Sequence, residues 1–102
     1  MDYRLWTNVI MYYHLKIITP HGVEYEADVI HTRLPDERGF VGILANHAPY
    51  ITSSPGGLVE IQLKDGRQEK LSVGSGFFEV MQNQATFLVN AFDAQAQKGT
   101  GA

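Results

Sequence analysis

With 102 residues, 44% hydrophobic and 19% charged, the chain has room for one domain with its own core and is too apolar to be disordered. A formal charge of −3, with eight Lys and Arg scattered along the chain, argues against nucleic acid as a partner. The absence of cysteine excludes disulfides and thiolate metal sites, and no window approaches the roughly 18–20 apolar residues of a membrane span.

The first ten residues hold Asp2, Arg4 and Asn8 where a secretory leader needs an unbroken apolar core, and they lack the Arg- and Ser-rich character of an organelle presequence. Residues 1–12 are therefore read as an extension that the fold specifies poorly, with Met11 an alternative start. From Tyr13 to Asn90 the dominant pattern is alternation at period two. Residues 14–19 alternate over part of their length and stop at the turn signal Pro20-His21-Gly22. Residues 23–34 are rich in β-branched and aromatic side chains, with Val23, Tyr25, Ala27 and Val29 on one face. Asp28 is expected to bend this stretch and divide it in two, and residues 34–39 read as a polar loop.

Two apolar β runs follow, at 40–44 and 58–61, around a bend that carries His47, Pro49, Pro55, Gly56 and Gly57. Val59, Ile61 and Leu63 share a face, Asp65-Gly66 suggests a type I′ turn, and residues 67–73 return as the second strand of a hairpin. A second hairpin spans 77–81 and 85–89 around Gln82-Asn83. Residues 91–98 place Ala and Gln at helical spacing, enough for one or two turns, and 98–102 are expected to fray. About eight to ten short strands with frequent turn signals predict an all-β, antiparallel sandwich or barrel. Apolar residues on both faces of several strands suit two packed sheets, with one outer surface covered by a partner.

Candidate chemistry is sparse. His14, His21, His31 and His47 lie on separate segments with no carboxylate at ligand spacing, so no metal site is expected. His14 and His31 are read as solvent-facing strand positions, whereas His47 sits in a tight corner where its imidazole can pin the backbone. Asp36 and Glu37 are adjacent carboxylates beside Arg38 and read as solvated loop charges, not as an acid–base pair. Gly74-Ser75-Gly76 lacks the third glycine, the Lys-Ser/Thr end and the helix of a phosphate loop, which leaves an inter-strand turn. No catalytic residues and no cofactor are assigned.

Residues 39–61 carry G-x-x-G-I-x-x-x-H-A-P, a spacer and P-G-G-L-V. Together with Tyr13-His14-Leu15, the L-x-x-x-x-G-F-x-E-V of residues 71–80 and Asn83-x-x-Thr86-x-Leu88, this passage resembles the epsilon subunit of the rotary ATP synthase. The likeness runs from Tyr13 to Val89. Ala45-Asn46 and Ser53-Ser54-Pro55-Gly56-Gly57 depart slightly from the family's usual turns. The resemblance implies an antiparallel β-sandwich of two roughly five-stranded sheets over residues 13–92, a short tail at 93–102 and no enzymatic role. It implies gamma as a partner, contacted through Thr19, His47, Ala48, Ile51, Thr52 and Leu58. It further implies that Glu37, Arg38 and Phe40 face the membrane ring of c subunits, Phe40 standing where a Glu is often found. The expected location is the cytoplasmic face of a bacterial inner membrane, peripheral and not inserted. Most members continue into a C-terminal helical hairpin that in many bacteria restrains ATP hydrolysis. Here the chain stops within ten or so residues of the last expected strand, so hairpin-based inhibition is not expected. The alternative reading is a free-standing β-sandwich adaptor or ligand-binding module, with a small hydrolase behind it.

Overall fold

Period-two alternation sends every second side chain to the same side of a strand, and the strands that share an apolar side must stack. A computed structural model, which describes residues 11–94, arranges them as nine strands. In chain order they are β1 (Tyr13–Thr19), β2 (Gly22–Asp36), β3 (Gly39–Leu44), β4 (Tyr50–Ser54) and β5 (Gly57–Leu63). They continue with β6 (Gln68–Val73), β7 (Gly76–Met81), β8 (Gln84–Val89) and the two-residue β9 (Phe92–Asp93). Hydrogen bonding orders them β4-β7-β8-β1-β2-β5-β6-β9, with β3 also paired to β2. All pairs are antiparallel except β1–β8, which is parallel.

The long strand β2 belongs to both layers. Residues 22–29 pair with β1, while residues 31–36 pair with β3 and 29–33 with β5. Its first half completes a layer β4-β7-β8-β1-β2, and its second half sits in a layer β3-β2-β5-β6-β9. Each layer thus has five strands, as expected of the sandwich. Leu15, Ile17, Phe78 and Phe87 of the first layer and Leu34, Ile43, Val59 and Leu71 of the second close on one core. The rings of Phe78 and Phe87 meet edge to face at 5.6 Å. Tyr13 bonds across the layers: from β1 its hydroxyl reaches Thr32 Oγ1 at 2.6 Å and the Ile43 carbonyl at 2.9 Å. Burial of this phenol, only 1% exposed, pushes its pKa up to about 12, so the hydroxyl stays neutral.

Several local expectations change. Asp28 does not divide the 23–34 stretch, because β2 runs unbroken. Its irregularities fall instead against β1 at Ile17/Ile18 and against β5 between Val29 and His31, where extra residues add the twist that carries the strand from one layer to the other. Leu34, Pro35 and Asp36 are buried strand residues, so the loop shrinks to Glu37-Arg38. Asp36 is not a solvated charge; its Oδ1 accepts the Arg38 N–H at 2.9 Å and its Oδ2 the Tyr50 hydroxyl at 3.4 Å.

At Asp65-Gly66 only Gly66 has positive φ. Its N–H donates to the Leu63 carbonyl at 2.8 Å, giving a turn over Lys64-Asp65 closed by a left-handed glycine, not a type I′ turn. The type I′ geometry is found at Gln82-Asn83, where both φ values are positive. Gly74-Ser75-Gly76 joins β6 to β7, and its glycines have a steric cause. A Cβ on Gly76 would lie 1.8 Å from the Leu88 carbonyl oxygen, and one on Gly74 would lie 1.8 Å from Asn90 Oδ1. The helical stretch expected from residue 91 begins as β9. The rest of it, the fraying end and most of the 1–12 extension lie outside the described residues.

Candidate partner-binding face

The outward side of the first layer is built by register. Phe77 of β7 stands opposite Leu88 of β8, Leu88 beside Ile18 of β1, and Ile18 opposite Val23 of β2. Phe77, Leu88 and Ile18 alternate with buried neighbours and so point away from the core. Val23, flanked by the exposed Gly22 and Glu24, joins their side through its pairing with Ile18 beyond the register shift. Phe77 is 60% exposed, Leu88 51% and Val23 54%. Ile51 on the edge strand β4 shares this side and is 67% exposed. A contiguous row of this kind on a small domain is what a partner covers, since it has no other route out of water.

Two depressions open on the same side. One, of about 330 Å³, is lined by Ile18, Thr19, Pro20, Ser75, Leu88 and Asn90. The other, of about 210 Å³, lies among Pro49, Ile51, Glu79 and Met81. Between and beside them the face turns polar. His14 is held by two β2 carboxylates, with Nδ1 2.9 Å from Asp28 Oδ1 and Nε2 2.5 Å from Glu26 Oε2. The bond to Asp28 first, and that to Glu26 second, raise the His14 pKa above its usual range.

The outward side of the second layer has a different character. Arg33 pairs with Glu60 at 3.1 Å, and Lys70 reaches the same carboxylate at 3.8 Å. The Arg33 guanidinium also stacks 3.9 Å above the Phe40 ring. His31 lies over Gly42, where a Cβ would come within 2.9 Å of its Nε2.

The sequence-derived residues distribute over these surfaces. Ile51 lies on the first layer's outer side. Thr19 is buried at the end of β1, lines the larger depression and donates its hydroxyl to Glu24 at 2.6 Å. His47 and Ala48 occupy the bend that leads into β4; as expected, the imidazole binds backbone, donating from Nδ1 to the Ala48 carbonyl at 2.6 Å. It also meets the Tyr50 ring edge-on at 5.7 Å. Thr52 is half-buried and opposite the buried Phe78, with its hydroxyl donating to the Ser53 carbonyl at 3.2 Å. Leu58 is exposed, but on the second layer, opposite Ser72. Glu37, Arg38 and Phe40 come together at the tip of the β2–β3 hairpin, where the Ser53 hydroxyl donates to Glu37.

Sequence reasoning missed Phe77, Leu88, Ile18 and Val23 as one surface, and it missed the carboxylates around His14. The signal was present as apolar residues on both sides of β7 and β8, but the row exists only once the strands are set in register. Among the described residues no three His, Asp or Glu are grouped so as to hold a metal ion, and no helix is long and apolar enough to cross a membrane.

Fold and surface together define the class: a small β-sandwich whose one sheet presents an apolar outer side. The family model for the "ATP synthase, Delta/Epsilon chain, beta-sandwich domain" matches residues 12–95, and the chain belongs to that family. It is 39% identical over 75 residues to the ATP synthase epsilon chain of Nitratiruptor sp., covering 74% of this chain and 58% of that one. It is 42% identical over 77 residues to the epsilon chain of Pelotomaculum thermopropionicum, covering 76% of this chain and 57% of that one. The chain therefore spans somewhat more than half the length of these relatives. In fold it is similar to a chain of the Euglena gracilis mitochondrial ATP synthase, with a TM-score of 0.80 at 15% identity over 88% of this chain and 57% of that one.

Proposed function

We propose that this chain serves as the epsilon-type, non-catalytic part of a rotary ATP synthase rotor. In this reading the first layer's outer side seats on the gamma subunit, through Ile51 and the row Phe77–Leu88–Ile18–Val23. Thr19 lines the adjoining depression, and His47, Ala48 and Thr52 flank the contact. Leu58, on the other layer, joins only where gamma wraps the sandwich edge. The hairpin tip with Glu37, Arg38 and Phe40 approaches the c-subunit ring. Together these contacts couple gamma to the ring during ion-driven ATP synthesis, with the domain peripheral to the cytoplasmic face of a bacterial inner membrane. Residues 13–92 form the working unit, and no cofactor is required.

The observation that carries the reading is the apolar row on a sandwich of this family. A rotor part must transmit torque without deforming, and a sandwich closed on one dense core is stiff enough to do so. It must also hold gamma through each cycle, which apolar burial at about 25 cal/mol per Å² can supply. The test is to mix the full chain with its cognate gamma and look for a stable 1:1 complex by size-exclusion chromatography with light scattering. Ile51→Asp places a charge in the seat and should weaken the complex by about 2–4 kcal/mol while leaving the fold intact. Undiminished affinity in a folded Ile51→Asp chain would remove Ile51 from the interface.

A further inference from the structure

Left-handed backbone is unfavourable for any residue with a Cβ, and where several such residues gather the surrounding structure must be holding them. Among the described residues three non-glycines have positive φ: Asn46 at 65°, Gln82 at 50° and Asn83 at 61°. They occupy one place. Asn46 belongs to the β3–β4 bend, and Gln82-Asn83 form the β7–β8 turn 37 positions away. The Asn46 backbone N–H donates to Asn83 Oδ1 at 2.7 Å, and Asn83 Nδ2 donates to Asn46 Oδ1 at 3.0 Å. The Asn83 carbonyl in turn accepts the His14 N–H at 3.0 Å, which ties the same turn to the start of β1.

The hairpin alone does not call for this arrangement. A type I′ turn favours glycine at its second central position, where positive φ carries no steric cost. Asn83 keeps the strained conformation and spends both ends of its amide on another loop. That loop carries His47 and Ala48, and its far end is fastened by the His47 imidazole on the Ala48 carbonyl and by the Tyr50 hydroxyl on Asp36. We propose that Asn83 is a positioning residue. Through its reciprocal amide bonds to Asn46 it fixes the β3–β4 bend in the conformation that offers His47 and Ala48 to the stalk partner beside Ile51. The inference rests on the gamma-binding reading above. It adds that part of the affinity resides in a residue of another hairpin that prepares the bend before binding, which lowers the ordering cost of association.

Asn83→Gly isolates the effect in the full chain, because glycine accepts the turn's backbone and removes both side-chain bonds. The melting temperature should stay within about 3 °C of the parent, as relief at the turn offsets the lost bonds. Amide exchange at Asn46, followed by NMR, should quicken about tenfold or more, and affinity for cognate gamma should fall about five- to tenfold. Asn83→Asp retains an acceptor for the Asn46 N–H and should recover much of both, which a purely local turn effect would not produce. Unchanged Asn46 exchange in Asn83→Gly would overturn the proposal. So would faster exchange with undiminished gamma affinity, or an Asn83→Asp chain as loose as Asn83→Gly. If the parent chain itself has no affinity for gamma, the functional reading fails on its own, while the exchange measurement still decides whether Asn83 orders the bend.

Discussion

The two sheets bury matching inner sides but differ outward. On the first, Phe77, Leu88, Ile18 and Val23 form an apolar row across four strands, with Ile51 at the edge. On the second, Arg33, Glu60 and Lys70 form an ion-paired ladder that water can solvate, with the exposed Phe40, Leu44 and Leu58 on the same layer's strands beside it. Inner alternation is needed by any sandwich and reveals only the fold. The outer difference is not needed for folding, and exposed apolar surface of this extent marks contact with another molecule. Under the proposed function, stability and recognition fall to different residues, sometimes one position apart on the same strand: Phe78 faces the core and Phe77 the solvent.

The largest effect should come from breaking the apolar side. Phe77→Asp is expected to weaken gamma binding by about 2–4 kcal/mol, read by calorimetry, with little change in melting temperature because Phe77 packs on nothing inside the sandwich. A Phe77→Asp chain that unfolds would show that the outward row also supports the fold. Next comes the seam between layers. Tyr13→Phe strips Thr32 and the Ile43 carbonyl of a buried partner and should cost about 1–3 kcal/mol in urea unfolding, with gamma affinity nearly unchanged.

The His14 cluster gives a smaller, pH-dependent effect. Its folded pKa is raised above the ordinary imidazole value of about 6.5, so its stabilisation is fully present below about 6.5 and is lost as pH rises through the folded value. The difference in melting temperature between the parent and His14→Gln should accordingly be largest near pH 5.5 and shrink towards pH 8. A constant difference across that range would mean the imidazolium bonds do not matter. The smallest effect belongs to the second layer's ladder. Arg33→Ala should change stability by less than about 1 kcal/mol, as exposed ion pairs usually do, and leave gamma binding intact. Lost binding in Arg33→Ala would bring the polar side into the interface and blur the distinction between the sheets.

What could be read from the chain alone was local. Alternation and turn residues are properties of neighbours, so the two hairpins built by β5–β6 and β7–β8 emerge within a residue or two of their observed bounds. The backbone role of His47 follows from its tight corner, and the family from motifs spread over 13–89. Turn geometry was less legible: Asp65-Gly66 has type I′ composition, yet a three-residue loop places only the glycine in left-handed backbone. Asp36 looked solvated beside Glu37-Arg38, because nothing local says that β2 continues to residue 36 and that Tyr50 lies next to it.

The tertiary structure alone decided which residues become neighbours across strands. The parallel β1–β8 pairing sets Ile18 against Leu88, and the β7–β8 register sets Leu88 against Phe77. The β1–β2 pairing brings Asp28 and Glu26 to His14, and layer stacking brings Thr32 and Ile43 to Tyr13. The amino-acid order states which face of a strand is apolar, because side-chain direction repeats every two residues. It does not state what stands beside that face, because a one-residue slip in pairing would redirect every contact while leaving the order unchanged.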